Sequence, residues 1–184
     1  VNDDDAFAFT IGSDEATQVA YVSSARNLVV LSYNGEYTMQ GGIEKPITPT
    51  NVQIKPHTPH GCATVRPVQV GRESVFVQRA GRKLRAMGYH YEEDGYKAPD
   101  LTTLAEHITA TGVVSMALQQ EPDPVVWVAL TNGRLVSVTL DRELDVIAWN
   151  SHEIDGAVEP VATIPAGDTE QVWLIIRRLV DGNI

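Results

Sequence analysis

At 184 residues, 43% of them hydrophobic, the chain is long enough to bury a real core, which excludes intrinsic disorder. Fourteen Lys and Arg against 24 Asp and Glu leave a formal net charge of −10, which repels nucleic-acid phosphates and anionic lipid headgroups; neither sequence-specific nucleic-acid binding nor a membrane partner is expected. The single cysteine, Cys62, cannot form an internal disulfide, and no run approaches the roughly 20 apolar residues of a membrane-spanning helix.

The chain opens Val1-Asn2-Asp3-Asp4-Asp5, with neither an initiator Met nor a basic leader, as expected of a segment from inside a longer parent. The first β-rich pair is Val19-Ala20-Tyr21-Val22 and Leu28 to Tyr33, joined through Ser23 to Asn27. From Glu44 to Gly61 the composition turns to Pro, Thr and His, and this stretch reads as an inserted loop. It holds His57 and His60, with Cys62 just after it, all zinc-binding types, but a fourth donor is missing at any usual spacing and Pro59 interrupts the run. No metal site is expected there.

The second pair runs from Ser74 to Arg79 and from Leu84 to Tyr89, with Gly81 in the connection to supply positive φ. Its turn carries the one basic cluster, Arg79, Arg82, Lys83 and Arg85. Beyond it comes the densest polar stretch, Tyr89-His90-Tyr91-Glu92-Glu93-Asp94-Gly95-Tyr96, with Asp100, Glu106 and His107 downstream. A glycosidase needs two carboxyls about 5 to 10 Å apart, which spacing along a loop cannot set, so an acidic solvated loop is the plainer reading. The basic turn could pair with residues 92–94, within the molecule or on a neighbour. Pro99 to Glu106 has the pattern of a short capped helix, an insertion near 100–107.

The third pair is the clearest: Val125 to Leu130 and Leu135 to Leu140 around Asn132-Gly133, a strong hairpin signal, preceded by Gly112 to Leu118 and followed by Asp145 to Asn150. A fourth, preceded by Val158 to Ile164, begins at Val172 and reaches Asp181-Gly182. The aromatic anchors Tyr21, Phe76, Trp127 and Trp173 lie 46 to 55 residues apart, close to the spacing of about 40 to 50 residues used by β-propeller blades. The expected fold is therefore all-β, a partial β-propeller-like array of antiparallel four-stranded units at roughly 16–60, 61–111, 112–156 and 157–184, the last incomplete. A β-sandwich is the competing architecture.

Read whole, Val75 to Arg85, then Asp94-Gly95-Tyr96-Lys97-Ala98-Pro99-Asp100-Leu101-Thr102, then Leu104 to Ile108, resembles a family of tailed-bacteriophage and prophage structural proteins. Met116 to Asp123, followed by Trp127 and Asn132-Gly133, is similar to that family's next unit, and the resemblance extends over essentially the whole chain, with weaker matches at Asp3-Asp4-Asp5 and Ile47 to Asn51. It resembles the tail tubular, nozzle-type components of the head-to-tail junction. The resemblance implies a non-enzymatic virion protein, made in the bacterial cytoplasm, whose partners are other copies of itself in a ring and neighbouring tail or neck proteins.

No catalytic, cofactor-binding or metal residue is assigned: there is no Gly-x-Ser-x-Gly elbow and no Gly-rich phosphate loop. The candidate interaction residues are Arg79, Arg82, Lys83, Glu92, Glu93, Asp94, Tyr96 and Asp100. Carboxylates at 92–94 facing a channel would repel exiting DNA. The alternative is a tail-borne host-recognition module or surface-glycan hydrolase, which requires a concave site lined by Tyr89, Tyr91, Tyr96 and two close carboxylates.

Overall fold

The computed structural model describes residues 2, 3, 5–12, 17–42 and 45–178. The chain is nearly all β and folds into four antiparallel sheets, taken in sequence order. The first holds β1 (Val19–Ser24), β2 (Leu28–Ser32), β3 (Glu36–Gln40) and β4 (Gln53–Thr58). The second holds β5 (Val68–Val70), β6 (Glu73–Val77), β7 (Leu84–His90) and β8 (Gly95–Lys97). The third holds β9 (Val113–Gln119), β10 (Val125–Leu130), β11 (Leu135–Asp141) and β12 (Val146–His152). The fourth pairs β13 (Ala157–Ala166) with β14 (Thr169–Arg177). Each described strand pairs only with its sequence neighbour, so every sheet is a meander closed by local turns.

Three core layers join the sheets face to face. Val29 and Leu31 of the first sheet meet Phe76 and Met87 of the second. Val75, Val77, Leu84 and Ala86 leave the other face of the second sheet to meet Val126, Val128, Val136 and Val138 of the third. Ala117, Ala129 and Leu135 then pack on Val158 and Val161 of the fourth. Each inner sheet is thus buried on both sides, which explains the continuous apolar runs of β6 and β10 where a half-solvated sheet would alternate. Stacking of this kind, one sheet face on the next, is how propeller blades bury their cores.

A backbone device repeats at these contacts. Gly81 and Gly133, at φ of +79° and +80°, turn the chain between the second and third strands of their sheets. The Gly81 carbonyl accepts the amide of Val113 at 2.8 Å, and the Gly133 carbonyl accepts that of Val158 at 2.8 Å, so each turn holds the start of the next sheet. The first strands converge as well: a cavity of about 770 Å³ is lined from β1, β5, β9 and β13.

Four expectations change. The aromatic anchors are not equivalent: Tyr21 lies on a first strand, whereas Phe76, Trp127 and Trp173 lie on second strands. Phe76 and Trp127 also face opposite ways, because the turn after β6 closes between Gln78 and Lys83 and that after β10 between Leu130 and Arg134, one residue shorter. A one-residue slip inverts the faces of a strand, so Phe76 enters the layer against the first sheet and Trp127 the layer against the fourth. The stretch 44–61 is not all loop: Gln53–Thr58 is the edge strand β4, where Pro56 costs no ladder bond.

The helix expected near 100–107 is only Glu106–Thr109. Ahead of it the Leu101 amide donates to the Leu84 carbonyl at 2.9 Å beside an isolated bridge between Arg85 and Asp100, and the Asp100 carboxylate accepts the Thr102 amide at 2.8 Å, so the chain leaves the edge of β7 directly into a turn over 101–105. In the fourth unit, 158–164 and 172–177 pair with each other around Gly167-Asp168, while the expected Asp181-Gly182 turn lies outside the described residues.

Candidate functional site

The eight candidate residues do not gather at one place. Arg79, Arg82 and Lys83 sit at the end of the second sheet where β7 begins; Glu92, Glu93 and Asp94 follow its other end, in a 3-10 turn that leads into β8. Seven extended residues of about 3.3 Å each separate the two ends, so the basic turn and the acidic loop do not pair within the molecule.

The basic turn has other partners. Lys83 Nζ bridges Asp100 Oδ2 and Glu106 Oε1, each at 2.9 Å, and these hydrogen bonds raise the ammonium pKa. Burial alone would raise the Asp100 carboxyl, but the Thr102 and Lys83 bonds hold it below its ordinary value. Arg79 lies over the ring of Tyr33, 5.3 Å from its centroid, and donates to Asn34 Oδ1 at 3.3 Å, fastening the second sheet to the first. Arg82 is exposed and makes no ion pair among the described residues. Arg85 donates to Gln78 Oε1 at 2.8 Å and to the Ala98 carbonyl at 2.7 Å.

The acidic loop splits by role. Glu92 points to solvent, and Glu93 pairs with Lys97. Asp94, at a left-handed φ of 46°, accepts the Tyr89 hydroxyl, a bond that raises the phenol pKa. Tyr96 is largely buried in the layer between the first two sheets, against Tyr89 and His57, with an edge at the cleft between those sheets. Its pattern position on a three-residue edge strand gave no sign of which face would be covered.

What these side chains do form is one wall of a cleft of about 870 Å³ between the first and second sheets. β3 and β4 supply Thr38, Lys55 and His57; the turn after β1 supplies Arg26 and Asn27; the stretch after β3 supplies Lys45; the second sheet supplies Tyr89, Asp94 and Tyr96. Arg26 stands over the Tyr89 ring at 4.7 Å, Asn27 Nδ2 donates to Gln40 Oε1 at 3.0 Å, and His57 Nε2 meets Thr38 Oγ1 at 2.8 Å. Burial, and then the Lys55 charge, lower the His57 pKa, which keeps the ring neutral. The Tyr96 hydroxyl is turned toward the Asn27 backbone but makes no full hydrogen bond among the described residues, and burial raises its pKa.

Sequence reasoning missed Arg26, Lys45 and Lys55. The period-2 spacing of Lys55 and His57 was a signal, hidden because Pro56 makes the run read as loop. His57, His60 and Cys62 do not converge on a metal: among the described residues no three His, Cys, Asp or Glu side chains are grouped to hold one. Cys62 is instead buried, its thiol pushed up to about 12 by burial and by the nearby Glu36 carboxylate. Tyr91 is 88% exposed and lies outside the cleft, whose described lining contains one carboxylate, Asp94. The cavity lined by the four first strands has Arg66 in its wall and, among the described residues, no carboxylate, so residues 92–94 do not line it.

No protein-family model matches the chain, and no curated protein matches it.

Proposed function

We propose that this chain is a structural component of a phage tail or head-to-tail junction, acting through protein–protein assembly and without catalytic activity of its own. The observation that carries the reading is a stack of sheets whose last described member leaves an apolar face open. On the fourth sheet Ile164, Trp173 and Ile175 point outward at 47, 57 and 60% exposure. On the first sheet the cross-strand row Val22, Val30, Tyr37 and Pro56 lies on the face turned away from the second sheet, but there Val30 is buried and residues 9–12 stand beside Tyr37 and Pro56, so that face is partly covered. An apolar face left open like that of the fourth sheet is used for contact with further protein, here other copies of the chain and neighbouring tail proteins.

Two measurements test it. Antibody raised against the chain should label the tail or neck of purified particles from the producing bacterium, and absence of the protein from those particles overturns the reading. Sedimentation should show self-association or co-assembly that Trp173→Ser with Ile175→Ser removes. The hydrolase alternative draws little support from the cleft, since general acid and base work needs two carboxylates and Asp94 is alone among the described lining residues.

A further inference from the structure

We propose that the cleft between the first two sheets is a binding site for an anionic saccharide, a hydroxyl-rich ring bearing a carboxylate or a phosphate. The inference goes beyond the architectural role and does not depend on it. In a chain of net charge −10, this cleft gathers Arg26, Lys45 and Lys55 against a single carboxylate among the described residues, Asp94. None of the three cations forms a salt bridge among the described residues, whose ion pairs involve Lys83, Lys97, Arg142 and Arg177. Asp94 accepts the Tyr89 hydroxyl and keeps its charge, so it offsets only one of the three cations. The excess positive charge that remains favours an oxyanion in the cleft.

The rest of the lining suits a sugar better than a bare ion. The cleft, at about 870 Å³, is far larger than one phosphate and of the size that receives a small organic ligand. The Asn27 and Gln40 amides and the His57 ring offer both donors and acceptors for ring hydroxyls. Tyr89, half-buried and set edge to face on buried Tyr96 with centroids 5.6 Å apart, gives the wall an aromatic edge against which the apolar face of a pyranose packs. His57 stays neutral and therefore can accept as well as donate.

The test is titration calorimetry of the full chain with four probes: a hyaluronan tetrasaccharide, glucose 6-phosphate, neutral maltotetraose and inorganic phosphate. Binding of at least one of the two sugar anions is expected, the carboxylate and phosphate probes telling the two sources apart, with affinity falling as sodium chloride is raised. Arg26→Gln with Lys55→Gln should weaken it by about ten-fold or more. Arg82→Gln, an exposed cation elsewhere, should leave it unchanged. Folding of each variant is checked by its thermal unfolding midpoint; should the double variant unfold, Lys55→Gln alone carries the comparison. The proposal is overturned if neither sugar anion binds, if maltotetraose or inorganic phosphate binds as tightly as they do, or if the cleft variants bind like the parent chain.

Discussion

Trp149 on β12 donates its indole N–H to the Leu101 carbonyl at 3.0 Å, so the outermost described strand of the third sheet holds the turn that follows the second. The ring also packs on the core layer between those two sheets, close to buried Leu101. Trp149→Phe keeps most of the apolar contact and removes the donor. A loss of about 1 kcal/mol in urea unfolding is expected, the size of one hydrogen bond, and an unchanged midpoint would show that water replaces the indole at no cost.

Glu36 is fully buried at the start of β3, where its Oε2 accepts the Thr58 hydroxyl at 2.5 Å and the His60 amide at 3.3 Å. Burial raises its pKa above the ordinary 4.5, with the Thr58 bond opposing. A raised folded pKa means that the folded state holds its proton more tightly than the unfolded one. This group's contribution is therefore complete below pH 4.5 and is lost as the pH rises through the folded value. Comparing urea midpoints of the parent chain and Glu36→Gln from acidic to neutral pH should show the parent losing stability relative to the variant as pH rises. A constant difference across that range counts against it.

Cys62 follows the same logic with a kinetic readout. The thiolate is the reactive form, and a thiol pushed up to about 12 is almost wholly protonated at pH 8. An aromatic disulfide reagent should label the native chain only as fast as it opens, and labelling should become immediate in denaturant. Rapid reaction in native buffer would mean that the corner around Cys62 opens readily.

Gly61 and Gly71 provide a matched pair. Both have positive φ, +72° and +56°, but a Cβ on Gly61 would lie 2.0 Å from the Tyr33 carbonyl oxygen, whereas on Gly71 it would meet nothing within 4 Å. Gly71→Ala should cost about 1 kcal/mol from backbone strain alone. Gly61→Ala adds a backbone clash where the chain passes from the first sheet to the second, and a loss of at least about 3 kcal/mol, or failure to fold, is expected from chemical denaturation. Equal costs at the two positions would rule out the clash.

The legible part of the site was its chemistry, and the illegible part was its geometry. Asp94, Tyr96 and Tyr89 stood out as a polar and aromatic cluster, yet nothing local showed that Tyr96 would be covered by His57 from β4, more than 35 residues earlier in the chain. Arg26 and Lys55 drew no notice because each is an exposed surface cation, and only the arrival of the second sheet makes their surface one side of a cleft. Arg79 and Lys83 were correctly placed at a turn, but their partners, Asn34 on one side and Asp100 on the other, come from opposite directions along the chain.

The hairpins belong to the sequence itself. Asn132-Gly133, Ala80-Gly81 and the β-rich runs beside them specify strand, turn and strand through contacts only a few residues apart, and such contacts can be read along the chain. Which face of each strand is buried belongs to the tertiary structure, because it depends on a single residue of turn length and on the sheet that arrives next. That is why Phe76 and Trp127, alike as anchors in the sequence, look in opposite directions. It is also why a cleft with three cations in its wall exists in a chain whose composition is acidic throughout.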